Sequence, residues 1–103
     1  MDAYVSILQL RSPPGRREDA IAQFIDRRVL ETCRDEVPGF LSGRLLRSLD
    51  DEDMACVICE WRDREAFEQW MQSPRRGGLA PQDRVFEPSG RSALFEPVQA
   101  LVR

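Results

Sequence analysis

Two strand-like runs, residues 40–49 and 54–61, are separated by Asp50-Asp51-Glu52-Asp53, four consecutive acids that no strand could absorb. The two runs must therefore fold back on each other as an antiparallel hairpin. Before the hairpin, residues 17–36 carry Ile21, Ile25, Val29 and Cys33 at every fourth position, joined by Ala22, with Glu18, Asp19, Arg27, Glu31 and Arg34 opposite. That spacing predicts an amphipathic helix of about five turns. Val37-Pro38-Gly39-Phe40 ends it, because Pro38 cannot continue a helix and Gly39 can take a positive φ. After the hairpin, Asp63 is an N-cap for a second helix over 64–72, whose Ala66, Phe67, Trp70 and Met71 form one apolar face. Residues 3–10 and 91–102 supply a first and a last strand. Pro97 makes the last one bulged or peripheral, and residues 75–90 between them read as irregular, with a short turn near 82–86.

The resulting order, β-α-β-β-α-β, predicts an α+β ferredoxin-like domain spanning residues 1–103: a four-stranded antiparallel sheet with both helices on one face. A chain of 103 residues buries only about 60–70% of its unfolded surface, so its core is thin. Yet Ala55-Cys56-Val57-Ile58-Cys59 is apolar on both parities, whereas a sheet with one wet face should alternate. No element is left to cover the second face. A second copy of the chain is therefore expected to pack sheet on sheet, as a homodimeric barrel.

All fifteen basic residues are Arg, and the chain contains no His, Lys or Asn. An Arg-for-Lys bias is the ordinary mark of a GC-rich genome. Its chemical consequence is the exclusion of a His general base, a Lys Schiff base, a phosphate-loop Lys and a His-ligated metal. Eighteen acids against fifteen bases give a net charge of −3, which disfavours nucleic acid and anionic membrane as partners. The three cysteines are an odd number, and the first ten residues lack a basic, apolar leader pattern; a reduced, cytoplasmic setting is expected. Cys56 and Cys59 lie three apart within a strand and point to opposite faces, so they share neither a metal nor a bridge.

Val37-Pro38-Gly39-Phe40-Leu41, Leu45-Leu46-Arg47-Ser48-Leu49-Asp50-Asp51, Glu60-Trp61-Arg62-Asp63-Arg64-Glu65-Ala66-Phe67 and Trp70-Met71-Gln72-Ser73-Pro74 resemble the antibiotic biosynthesis monooxygenase family. The resemblance covers residues 3–74 well. It implies a dimeric α+β barrel and a small-molecule pocket between sheet and helices. It also implies, in the cofactor-free branch, an oxygenase needing no metal and no bound cofactor, in which the phenolate of an aromatic polyketide-like or quinol-like substrate itself activates dioxygen. Some members degrade haem, and others have no shown activity. The pocket-side Asn of several oxidising members falls at Leu8, and the haem-ligating His of the degrading branch falls near Ala80.

Carried onto this chain, the resemblance makes Trp70, Phe67, Tyr4, Leu8 and Trp61 candidates for the substrate-binding wall. Three of them have a structural alternative: Trp70 as helix core, Trp61 as a packing residue at the sheet edge, Tyr4 as a buried phenol with a satisfied hydroxyl. Catalytic candidates are Tyr4, which could orient or deprotonate a phenol, and Arg44 or Arg47, one of which could hold an enolate or phenolate. The two arginines have opposite parity, so only one faces the helices; an ion pair, with Glu60 among the candidate acceptors, is the alternative role. Arg75-Arg76-Gly77-Gly78 reads as a solvated loop. An RNA-recognition domain of the same order needs exposed aromatics on its third strand, where this chain has Cys, Val and Ile. The non-catalytic alternative is a binding or cyclisation-assisting module for a hydrophobic intermediate.

Overall fold

The computed structural model describes residues 3–76 and 83–103. Its elements run β1 (Tyr4–Arg11), α1 (Arg17–Asp26), α2 (Val29–Glu36), β2 (Phe40–Arg47), β3 (Met54–Trp61), α3 (Arg64–Gln72), β4 (Glu87–Pro88) and β5 (Ala93–Phe95). The sheet is antiparallel, in the order β2-β3-β1-β4, with β5 also on β1. This is the expected α+β ferredoxin-like arrangement, with the helices on one face. The hairpin bend is tied to the start of α1: the Arg17 guanidinium donates to the carbonyls of Ser48, Asp51 and Met54 at 2.8–3.1 Å. Among the described residues, no helix is long and apolar enough to cross a membrane.

The first helix departs from expectation. In place of one continuous helix, α1 and α2 are separated at Arg27-Arg28, where Arg28 takes the left-handed conformation (φ 55°, ψ 45°). A row of residues at strict fourth positions advances about 40° per step relative to a 3.6-residue turn, so it winds away from the sheet. Ile21 and Cys33 are buried, but Ile25 between them is 62% exposed. The break resets the phase and returns α2 to the sheet.

Gly39 is required for a reason other than the one expected. Its φ is not positive; instead, a Cβ there would lie 2.6 Å from the Cβ of Ala66, so the turn before β2 is the seat on which α3 packs. The helix itself has the expected bounds, and Asp63 Oδ1 accepts the Ala66 N–H at 2.9 Å. The last strand is shorter than expected. It lies on the edge of β1 as β5, opposite Val5 to Ile7, while β4, in the stretch expected to be irregular, pairs with Leu10 and Arg11; residues 89–92 between them belong to neither strand, with Gly90 at φ +83°. It ends before Pro97, and Val98, Leu101 and Val102 are exposed.

Register fixes the faces. Ser6, Leu8 and Leu10 of β1 stand opposite Cys59, Val57 and Ala55 of β3, and this face packs on the helices. Val5, Ile7, Cys56 and Ile58 share the other face with Leu46 and Phe95, and no element of the described chain covers it. The core between sheet and helices consists of two clusters. One gathers Cys33, Val37, Cys59, Trp61, Ala66 and Phe67; the other gathers Leu10, Ala20, Ile21, Ala55 and Phe86.

Candidate functional site

A cavity of about 280 Å³ lies between the two clusters. Leu8 and Val57 form its floor in the sheet, Phe24 and Leu30 come from the two halves of the broken helix, and Phe67 and Trp70 come from α3. The gap exists because each helical unit packs on a different end of the sheet: α1 over Leu10 and Ala55, α2 and α3 over Cys59 and Trp61. Trp61 is 1% exposed, and its indole Nε1–H donates to the buried Ser6 Oγ at 2.9 Å, which fixes one wall.

Three arginines are among the residues that line the same cavity: Arg27, Arg76 and Arg84. Arg27 is the C-cap residue of α1, Arg76 follows α3 and Arg84 precedes β4. Gln23, one helical turn before Arg27, clamps the backbone on both sides of Arg84. Its Nε2 donates to the Asp83 carbonyl at 2.7 Å, and its Oε1 accepts the Val85 N–H at 3.0 Å. Burial, and secondarily the like charge of Arg84, hold the Arg27 guanidinium below the usual arginine range. Among the described residues, no carboxylate lines the cavity.

Cys33 and Cys59 also reach it. Burial pushes the Cys59 thiol up to about 11, and burial together with the neighbouring Cys59 pushes Cys33 up as well. Both are therefore neutral at physiological pH and serve as apolar wall, not as nucleophiles. Cys56 lies on the opposite face, in register with Gln9. Among the described residues, no group of three or more His, Cys, Asp or Glu could hold a metal ion.

Of the residues singled out in the sequence, Trp70, Phe67, Leu8 and Trp61 meet at this cavity. Trp61 is not at the sheet edge, because β3 lies between β2 and β1. Tyr4 stands outside the lining residues: it is in register with Trp61 and packs against Phe67, with ring centroids 5.9 Å apart. Arg44 is in register with Ile58 and so faces away from the helices, and among the described residues it forms no ion pair with Glu60 or any other acid. Arg47 does face the helices, but its Nε donates to Glu18 Oε2 at 2.9 Å and Nη2 bonds the other carboxylate oxygen. It borders a separate depression with Ile21 and Leu45. Ala80 lies outside the described residues. The cavity arginines escaped the sequence reading: Arg27 sits on what reads as the polar face of a continuous helix, and Arg76 and Arg84 lie in segments with no periodicity.

The family model for antibiotic biosynthesis monooxygenase matches residues 3–77. None of the curated proteins matches. Among solved structures, the cofactor-independent oxygenase SnoaB from Streptomyces nogalater is 23% identical with a TM-score of 0.73, and the match covers 100% of both chains. The heme-degrader MhuD from Mycobacterium tuberculosis, solved with two hemes bound in its active site, is 26% identical with a TM-score of 0.74, covering 96% of this chain and 99% of that one. A conserved protein from Methanosarcina mazei is 14% identical with a TM-score of 0.68, covering 92% of each chain.

Proposed function

The chain belongs to the antibiotic biosynthesis monooxygenase family, and from that premise we propose that it is a small cofactor-independent monooxygenase. Its substrate is a hydrophobic aromatic molecule, polyketide-like or quinol-like, of secondary-metabolite biosynthesis. It works in the cytoplasm, as one domain over residues 1–103, in a homodimer whose uncovered sheet faces pack together. The single observation that carries the reading is the largely apolar cavity between sheet and helices with arginines among its lining residues.

The ring system lies between Trp70 and Phe67 on one side and Leu8 and Val57 on the other, with Trp61 closing the end and Tyr4 supporting Phe67 from behind. A phenol titrates near 10 in water, and an opposite charge within about 4–6 Å lowers an acid's pKa by roughly 1–3. A cavity guanidinium thus favours the phenolate against the opposing effect of the apolar walls, and water at the open side takes the proton. The phenolate is the reductant and dioxygen the oxidant: one oxygen atom bonds to the activated ring carbon and becomes its carbonyl, and the two hydrogens that carbon loses leave with the other oxygen atom as water. The apolar wall keeps water from the activated ring. The anion-holding role expected of Arg44 or Arg47 passes to the arginines that line the cavity.

One observation supports the second reading, a binding or cyclisation-assisting module: among the described residues, no carboxylate lines the cavity, and its thiols are neutral. Both readings are tested by mixing the protein with anthrone- or naphthacenone-type phenols under ¹⁸O-labelled dioxygen. Label appearing in the product faster than in buffer, with the rate reduced at least tenfold in Trp70→Ala, is the outcome expected of the oxygenase. Retention of the phenol without oxygen uptake leaves the binding module.

A further inference from the structure

In a chain with more acids than bases, the described cavity lining holds three arginines and no carboxylate. The three come from separate segments: the C-terminal end of α1, the turn after α3 and the stretch before β4. Arg27 and Arg84 are half-buried, and Arg76 is exposed. The Gln23 clamp spends a side-chain amide on holding the backbone at Arg84, at 2.7 and 3.0 Å on either side, and thereby keeps Arg84 beside Arg27.

Keeping two guanidiniums together against partly apolar walls is unfavourable, since each disfavours the charge of the other. The carbonyls at the end of α1 offset part of this, being the negative end of the helix dipole. We propose that the ligand of this cavity is an aromatic acid, whose carboxylate is received by Arg27 and Arg84, with Arg76 at the outer edge, while its rings occupy the apolar space. A guanidinium fork matches a planar carboxylate in a bidentate pair, and a partly desolvated pair of this kind is stronger than one in water. Arg27 and Arg84 both have interactions of their own within the chain; the carboxylate would join or replace these, a guanidinium carrying five N–H donors. The acid group is distinct from the phenol of the oxygenase reading, on which this inference rests only for the seating of the rings. Gln23 is a positioning residue.

The probes are 2-naphthoate and its methyl ester, titrated calorimetrically into the intact protein at low salt. The acid is expected to bind at least tenfold more tightly than the ester, and the preference to shrink as salt is raised. Arg84→Gln and Gln23→Leu should each bring the acid-to-ester ratio close to one while leaving ester affinity intact, and the retained ester binding certifies that the variants are folded. A ratio near one in the native chain, no binding of the acid, or a ratio that neither substitution changes overturns the proposal. Failure of the oxygenase reading is separate. Acid selectivity without oxygen consumption removes that reading and leaves the aromatic acid; oxidation of a neutral anthrone without acid selectivity does the reverse.

Discussion

Trp61 is the largest side chain that is fully buried, and it serves packing and polarity together. Its ring meets Phe40 and Phe67 edge-on at 5.6 and 6.0 Å, while its N–H satisfies the buried Ser6 hydroxyl. Trp61→Phe removes the second ring and the donor at once, and should cost about 2–3 kcal/mol in urea denaturation. In a double-mutant cycle with Ser6→Ala, about 1 kcal/mol should be coupling. Additive effects would mean that the hydrogen bond contributes nothing. The sequence places Trp61 at the end of a strand but not in the middle of the sheet, since residue parity reports which face a side chain takes and not which strand lies beside it. The same limit explains Arg47. Its parity was legible, whereas its engagement by Glu18 depends on how α1 crosses the end of β2.

At the scale of elements, the hairpin, α3 and its Asp63 cap were readable because each has a local cause: an acidic bend, an i, i+4 face of one turn, a side chain that reaches its own helix. The division between α1 and α2 was not. It arises from the cumulative drift of a row that looks regular over any two turns. Arg28 bears the cost, since a left-handed non-glycine residue is disfavoured by about 1–2 kcal/mol. Arg28→Gly removes this strain but loosens the unfolded chain by roughly 0.4–1 kcal/mol. It should therefore raise stability by between about 0 and 1.6 kcal/mol in chemical denaturation. A loss of stability would show that the Arg28 side chain contributes more than its backbone costs. The last strand fell short for a different reason: Phe95 is already opposite Val5, one residue from the start of β1, so residues beyond it have almost no strand left to pair with, and Pro97 follows.

For the whole molecule, the thin core expected from chain length is thinner still, because the cavity divides it. The walls of that cavity were legible as apolar positions on strands and helices. Its arginines were not, because the segments bearing Arg76 and Arg84 have no repeat to read. The uncovered face has Val5, Ile7, Cys56 and Ile58 at its centre, and no element of the described chain packs on it. The proposed dimer would bury it. Light scattering should give twice the chain mass at micromolar concentration, and Ile58→Asp, which places a charge in the middle of that face, should give the single-chain mass. A native monomer would remove the barrel.

The cavity has a floor made of paired strands and a rim made of connections. Exchanging Leu8 or Val57 disturbs a ladder shared with neighbouring strands, whereas Arg76 and Arg84 can be exchanged without touching it. Shape preference is thus stiff and charge preference is pliable. A protein engineer seeking a new ligand for this scaffold would begin at the rim, trading arginine for a neutral or acidic side chain while leaving the seat for the rings as it is.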